Sequence, residues 1–192
     1  MRIAFLRHGP TEWNAQGRIQ GHTDIPLSAA GLQKMRGLRA DFKASRIFVS
    51  PMQRARQTAE ALGLENPMFD ARLMEQNWGQ WEGLTRDEIL QRDGAEAFSK
   101  AGLAASFRPP GGESTQELHD RVSAFLSDAA REDSDALVVA HLGVLRAAYT
   151  LATGWEMQTP MPPDLDVSKM LVLELCGAER RLHALNISLT RI

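Results

Sequence analysis

Two arginines and two histidines stand where short apolar runs of this chain end. In "FLRHGPTEWN" (5–14), Arg7 and His8 follow Phe5 and Leu6 directly, and Gly9 and Pro10 turn the chain away behind them. The run "RIFVS" (46–50) ends at Ser50 and leads into a segment bearing Arg54, and "ALVVAH" (136–141) ends at His141, just ahead of Gly143. Each alone is an ordinary strand end meeting solvent. Brought together, two guanidinium and two imidazole groups suit a phosphoryl group. Arginine stays charged and presents a planar fork that matches phosphate oxygens, and a histidine near neutrality has one unprotonated nitrogen to act as nucleophile. His8 would attack phosphorus while Arg7, Arg54 and His141 hold the equatorial oxygens, because phosphoryl transfer is mostly positioning and charge stabilisation.

The departing alkoxide needs a proton. "LMEQNWGQWEG" (73–83) offers Glu75 and Glu82, in a loop whose Trp78 and Trp81 would shield a carboxyl from water. The attacking nitrogen must also be the correct one. A backbone carbonyl accepting the other ring N–H would ensure that, and Gly9 would let the backbone turn close enough to supply it.

Such convergence requires a sheet. Residues Ile3 to Leu6 and the two later runs are short and continuously apolar, the pattern of strands buried on both faces of a parallel sheet. Helical stretches with their own start and stop signals lie between them. Ser28 caps "SAAGLQKMRGL", "QRARQTAEAL" ends at Gly63, and Thr85 with Glu88 and Ser114 with Glu117 read as capping boxes. After Ser114, Leu118, Val122, Phe125, Leu126 and Ala129 recur at helical spacing. This alternation predicts an α/β fold, a three-layer α/β/α sandwich around a mostly parallel central sheet. At the tail, "KMLVLEL" (169–175) and "RRLHALNI" (180–187) flank Cys-Gly-Ala-Glu, which predicts a hairpin adding an antiparallel edge. Ligands of such sheets bind beyond the carboxyl ends of the strands, where the loaded residues lie.

The 192 residues predict a single domain, 1–192, with 84–110 as a helical, lid-like insertion over one end of the sheet. Lys plus Arg total 22 against 24 for Asp plus Glu, a net charge of -2 that recruits neither nucleic acid nor an anionic membrane. The lone Cys176 excludes an internal disulfide and has no zinc-like spacing with the five histidines. The apolar start is too short for a signal peptide and no later run would span a membrane, so the expected location is cytoplasmic. Nothing in the sequence sets an oligomeric state. His22, His119 and His183 are expected to have no catalytic role.

The motifs "LRHGPTEWN", "SPMQRARQTAEAL", "EQNWGQWEG", "PPGGES" and "VVAHLGVLR" follow one another in the order and at about the spacing of the histidine phosphatase superfamily. The chain resembles the branch that includes cofactor-dependent phosphoglycerate mutases and their phosphatase relatives, essentially over residues 1–150. The resemblance implies a phosphohistidine mechanism with His8 as nucleophile, Arg7 and Arg54 as phosphate-binding arginines and His141 as the second histidine. It selects Glu75 as proton donor, because the family places the acid four residues before the glycine that is Gly79 here. It further implies that Asn14 contacts the phosphate pocket, that Thr11, Gln20 and Gly21 belong to the substrate-side wall, and that no metal or organic cofactor takes part.

Two positions depart from the family pattern. Leu142 follows the second histidine where a small residue, often glycine, is usual; it would either narrow the mouth or turn into the helix packing. Pro10 replaces a frequent Glu. Resembling mutases also carry a longer insertion with a tandem arginine pair, whereas 84–110 offers isolated Arg86, Arg92, Lys100 and Arg108. The expected function is therefore hydrolysis of a phosphomonoester of a small metabolite. "RIQGHTDIPLSAAG" resembles α-ribazole phosphatases as well as broad-specificity members. The alternatives are mutase-type phosphoryl transfer and a non-catalytic phosphate-ligand-binding protein, which would typically have lost the nucleophile or an arginine.

Overall fold

The computed structural model describes residues 1–94, 106–155, 162–163 and 165–192. Its centre is a six-stranded sheet of β1 (Arg2–Arg7), β3 (Arg46–Val49), β4 (Met68–Phe69), β5 (Ala136–Ala140), β6 (Met170–Cys176) and β7 (Glu179–Ile187), in the spatial order β4-β3-β5-β1-β6-β7. β4, β3, β5 and β1 run parallel, and β6 and β7 are antiparallel additions beside β1. The expected architecture is thus present. The tail hairpin turns at Gly177, whose φ of 59° suits glycine.

β5 lies between β1 and β3, with Arg7 opposite Ala140 and Val49 opposite Val139. That register places the ends of three sequence-distant strands, carrying Arg7 and His8, Ser50, and His141, side by side. Alternation along the strands builds two cores. Ile3, Phe5, Ala136, Val138 and Ala140 face α5 (Thr115–Ala129) and α6 (Leu142–Thr153), while Ala4, Leu6, Leu137 and Val139 face α3 (Gln53–Ala61).

The helix boundaries follow the polar signals. α1 (Glu12–Ala15) is one turn capped by Thr11, and Ser28 Oγ accepts from Gly31 N–H at the start of α2 (Ala29–Arg36). Capping boxes open α4 (Arg86–Asp93) at Thr85 and Glu88, and α5 at Ser114 and Glu117. Gly63, at φ 67°, lies just past α3. α4 falls within 84–110, of which 95–105 lie outside the described residues. A feature without a sequence signal is the two-stranded ribbon of β2 (Leu38–Arg39) and β8 (Thr190–Arg191), too short to carry a period. No described helix is long and apolar enough to cross a membrane.

Candidate active site

The last ladder bond of β1 carries the chain into the site. His8 N–H donates to the Ala140 carbonyl at 2.9 Å, and Gly9 N–H then donates to Thr58 Oγ1 at 2.9 Å. Thr58 Oγ1 in turn donates to the Arg54 carbonyl at 2.6 Å, so one buried hydroxyl ties the β1 turn to α3. His8 Nδ1 lies 2.7 Å from the Gly9 carbonyl. A carbonyl only accepts, so the proton sits on Nδ1 and Nε2 keeps its lone pair. The expected carbonyl is therefore supplied, although glycine is required for room more than for turning: a Cβ on Gly9 would stand 2.6 Å from Met35 Cγ.

His8 is 7% exposed, and burial, followed by the charges of Arg54 and Arg7, pushes its pKa down to about 3 against the pull of the Gly9 carbonyl. Burial also drives His141 well below the ordinary histidine value. Both rings stay neutral in the folded protein at pH values where an unfolded chain would already protonate them. A depressed native pKa contributes stability that is complete above the unfolded value and is lost as pH falls toward the native one. Acid titration of the melting temperature should therefore show a loss beginning near pH 6.5 and deepening toward pH 3, shallower in His8→Asn. An unchanged slope in that variant would show that His8 is not held neutral by its surroundings.

Arg54 is wholly buried at the start of α3. Its guanidinium donates to the Thr23 carbonyl at 3.0 Å, the Gly21 carbonyl at 2.7 Å and, through Nε, to His141 Nδ1 at 3.2 Å. His141 must then carry its proton on Nε2, which donates to Ser50 Oγ at 2.8 Å. The His8 and His141 ring centroids are 5.1 Å apart. Both His141 nitrogens are thus engaged in this structure, by Arg54 and by Ser50. Arg7 differs: no hydrogen-bond partner of its guanidinium lies among the described residues, and the residue borders the cavity beside His8.

Of the two carboxylates, Glu75 borders that pocket with Arg7, His8 and Arg54. Its Oε1 accepts from Gln76 N–H and from Gly143 N–H in the first turn of α6, each at 2.9 Å. Glu82 is engaged elsewhere, accepting from the N–H groups of His22, Thr23 and Trp78 and from the Thr23 hydroxyl. The Glu75 backbone is clasped as well. Arg121 of α5 donates to the carbonyls of Arg72, Met74 and Glu75 at 2.6, 2.7 and 2.9 Å and pairs with Glu113, while His22 Nε2 donates to the Glu75 carbonyl at 2.8 Å. Sequence reasoning missed these two; the only hint at Arg121 is a charge flanking the apolar stripe of α5.

Gly143 leaves room for the acid, since a Cβ there would stand 2.3 Å from Glu75 Oε1. Gly143→Ala should displace the carboxylate and slow turnover of alkyl phosphates by up to about 10²-fold, the scale of a 1 Å misplacement. Release of p-nitrophenol from p-nitrophenyl phosphate in the first turnover should change far less. Equal losses on both would dissociate Gly143 from the acid.

The walls of this pocket, about 180 Å³, include Asn14, Gln20, Gly21, Trp78 and Leu142. Asn14 Oδ1 accepts from the backbone and hydroxyl of Thr11, which locks its amide plane. Thr11 itself is 1% exposed in that cap and does not border the cavity. Leu142 does border it, as does Trp78. Trp78 stacks on the buried Trp81, ring centroids 6.0 Å apart. Arg18 also lines this pocket, and Arg146 lines a neighbouring recess with Glu75 and Trp78; neither stood out in the sequence. Among the described residues no group of three or more His, Cys, Asp or Glu side chains is placed to hold a metal ion.

Comparisons with known proteins identify the family and the fold. The family model described as "Histidine phosphatase superfamily (branch 1)" matches residues 3–188. The "Probable phosphoglycerate mutase GpmB" of Salmonella paratyphi C is 32% identical over 203 aligned positions, covering 100% of this chain and 84% of that protein. Among solved structures, a mycobacterial glucosyl-3-phosphoglycerate phosphatase in complex with VO3 superposes with a TM-score of 0.82 at 26% identity, covering 97% of this chain and 99% of that one. YhfR of Bacillus stearothermophilus gives 0.83 at 29% identity, covering 97% and 96%. The family match spans nearly the whole chain and the solved relatives share its fold: this chain belongs to the histidine phosphatase superfamily, branch 1.

Proposed function

We propose that the protein is a phosphomonoesterase working through a phosphohistidine at His8. The observation that carries this reading is the His8 Nδ1 bond to the Gly9 carbonyl, which leaves Nε2 unprotonated in a pocket shared with Arg7, Arg54 and Glu75. Arg7 and Arg54 bind the phosphoryl oxygens and His141 positions Arg54. Nε2 of His8 forms the N–P bond as the ester P–O bond breaks, and protonated Glu75 gives its proton to the leaving oxygen. The resulting Glu75 carboxylate takes a proton from water, which attacks phosphorus, releases inorganic phosphate and restores both groups. Asn14, Gln20 and Gly21 line the phosphate side, and Leu142 with Trp78 limits the alcohol.

Hydrolysis is favoured over mutase chemistry by the described part of 84–110. Arg92 is paired with Asp93 and donates to the Gln80 carbonyl, and Arg108 is paired with Glu117 and donates to the Gly112 carbonyl. None of Arg86, Arg92 and Arg108 borders the pocket, so the described part of 84–110 brings no arginine pair to it for a second anionic group. Lys100 and most of "TPMPPDLD" (159–166) lie outside the described residues.

The test is phosphate release from a panel of phosphomonoesters including α-ribazole phosphate, glucosyl-3-phosphoglycerate and 3-phosphoglycerate, run beside a 3- to 2-phosphoglycerate conversion assay. Release with no isomer is the expected result. Isomer formation outpacing release would establish the mutase, and tight phosphate binding with neither product would establish a binding protein.

A further inference from the structure

A second cavity, of about 570 Å³, lies on the other flank of Arg7 and His8. Met35 of α2, Leu38 of β2, Val167 and Leu189 supply apolar walls, while Lys34 and Lys169 bring cations to it. No Asp or Glu is among the described residues that line it. Lys34 has no ion-pair partner among the described residues, and Lys169 has one, Asp166 at 3.4 Å. The volume is that of a small-molecule site, with mixed walls and a few convergent polar groups.

This cavity is not the path of the leaving group. Gly9 and Pro10 border it and not the smaller pocket, whereas Arg54 and Glu75 border the smaller pocket and not this one. His8 Nδ1 points to the Gly9 carbonyl, so Nε2, on the opposite side of the ring, points away from Gly9. An in-line displacement sends the departing oxygen away from Nε2 and toward the acid. The larger cavity is therefore behind the nucleophile.

We propose that it is a separate binding site for a small organic anion with an apolar body, the body lying on Met35, Leu38, Val167 and Leu189 and the anion meeting Lys34 and Lys169. Arg7, His8 and Asn14 form the partition between this ligand and the phosphoryl group. The site goes beyond the phosphatase reading, and because its readout is binding, it stands or falls independently of turnover.

The probe is 8-anilinonaphthalene-1-sulfonate, a fluorescent anion on an apolar body, titrated into the intact protein with and without saturating inorganic phosphate. The expected result is one saturable site that persists in phosphate, weakened by about tenfold in the Lys34→Glu/Lys169→Glu double variant, as loss of about 1.4 kcal/mol requires. Leu38→Trp, which fills the apolar end, should reduce binding at least as much. Both variants should keep the circular dichroism spectrum of the parent and its first-turnover rate on p-nitrophenyl phosphate within about twofold, since none of Lys34, Lys169 and Leu38 borders the smaller pocket. Dye binding untouched by the charge reversals, or complete displacement of the dye by phosphate, would overturn the proposal.

Discussion

Replacing His8 with Ala should lower turnover of every phosphomonoester by about 10⁵- to 10⁶-fold, the scale on which removal of a covalent nucleophile registers. No neighbouring group can substitute. His141, with its ring centroid 5.1 Å from that of His8, has Nδ1 engaged by Arg54 and Nε2 by Ser50. Glu75 is held toward the α6 start by Gly143 N–H. The fold should survive, because β1 is fastened by its ladders to β5 and β6 and the Gly9 N–H keeps its bond to Thr58. Circular dichroism should match the parent while steady-state release of p-nitrophenol vanishes. Activity above about one per cent of the parent would place the nucleophile elsewhere, since catalysis without it rests on binding and electrostatics alone.

Glu75→Gln should separate substrates by leaving group. The amide keeps a carbonyl oxygen for the N–H groups of Gln76 and Gly143, so the loop held by Arg121 and His22 need not move. Only the transferable proton is lost. General acid catalysis contributes about 10²- to 10⁴-fold, and alkyl phosphates should lose that much. The first turnover of p-nitrophenyl phosphate, whose leaving group needs little protonation, should change little. The second step then suffers, because the same carboxylate activates water. A burst of p-nitrophenol followed by a slow phase is expected in stopped-flow absorbance, with phosphoenzyme accumulating. Equal first-turnover losses on alkyl and aryl esters would move the acid away from Glu75.

The parts of this site legible in the sequence are those that strand ends and fixed motifs announce. Apolar runs terminating at Arg7, Ser50 and His141 mark three adjacent strand ends, and the polar caps at Ser28, Thr85 and Ser114 set where helices begin. Choosing between Glu75 and Glu82 needed the family resemblance, because both lie in one loop and only folding shows Glu82 gathering four donors. The alternatives for Leu142 depended on how α6 is rotated at its first residue, which spacing does not encode. That His141 meets both Arg54 and Ser50, the latter across 91 residues of chain, is likewise set by the strand order and not by any local spacing. Arg121 and the β2–β8 ribbon escaped for a related reason: apart from Glu113, which pairs with Arg121, their partners are backbone groups, which leave no residue signature.

The central claim, phosphoryl transfer to Nε2 of His8, is tested most directly by trapping the intermediate. The Glu75→Gln variant is mixed with p-nitrophenyl phosphate, quenched in alkali to preserve phosphohistidine, digested and mapped by mass spectrometry. The account predicts one phosphoryl group on His8, appearing with the burst and absent from the His8→Ala/Glu75→Gln protein. A burst of p-nitrophenol with no phosphorylated peptide, or with the phosphoryl group on any other residue, would contradict it.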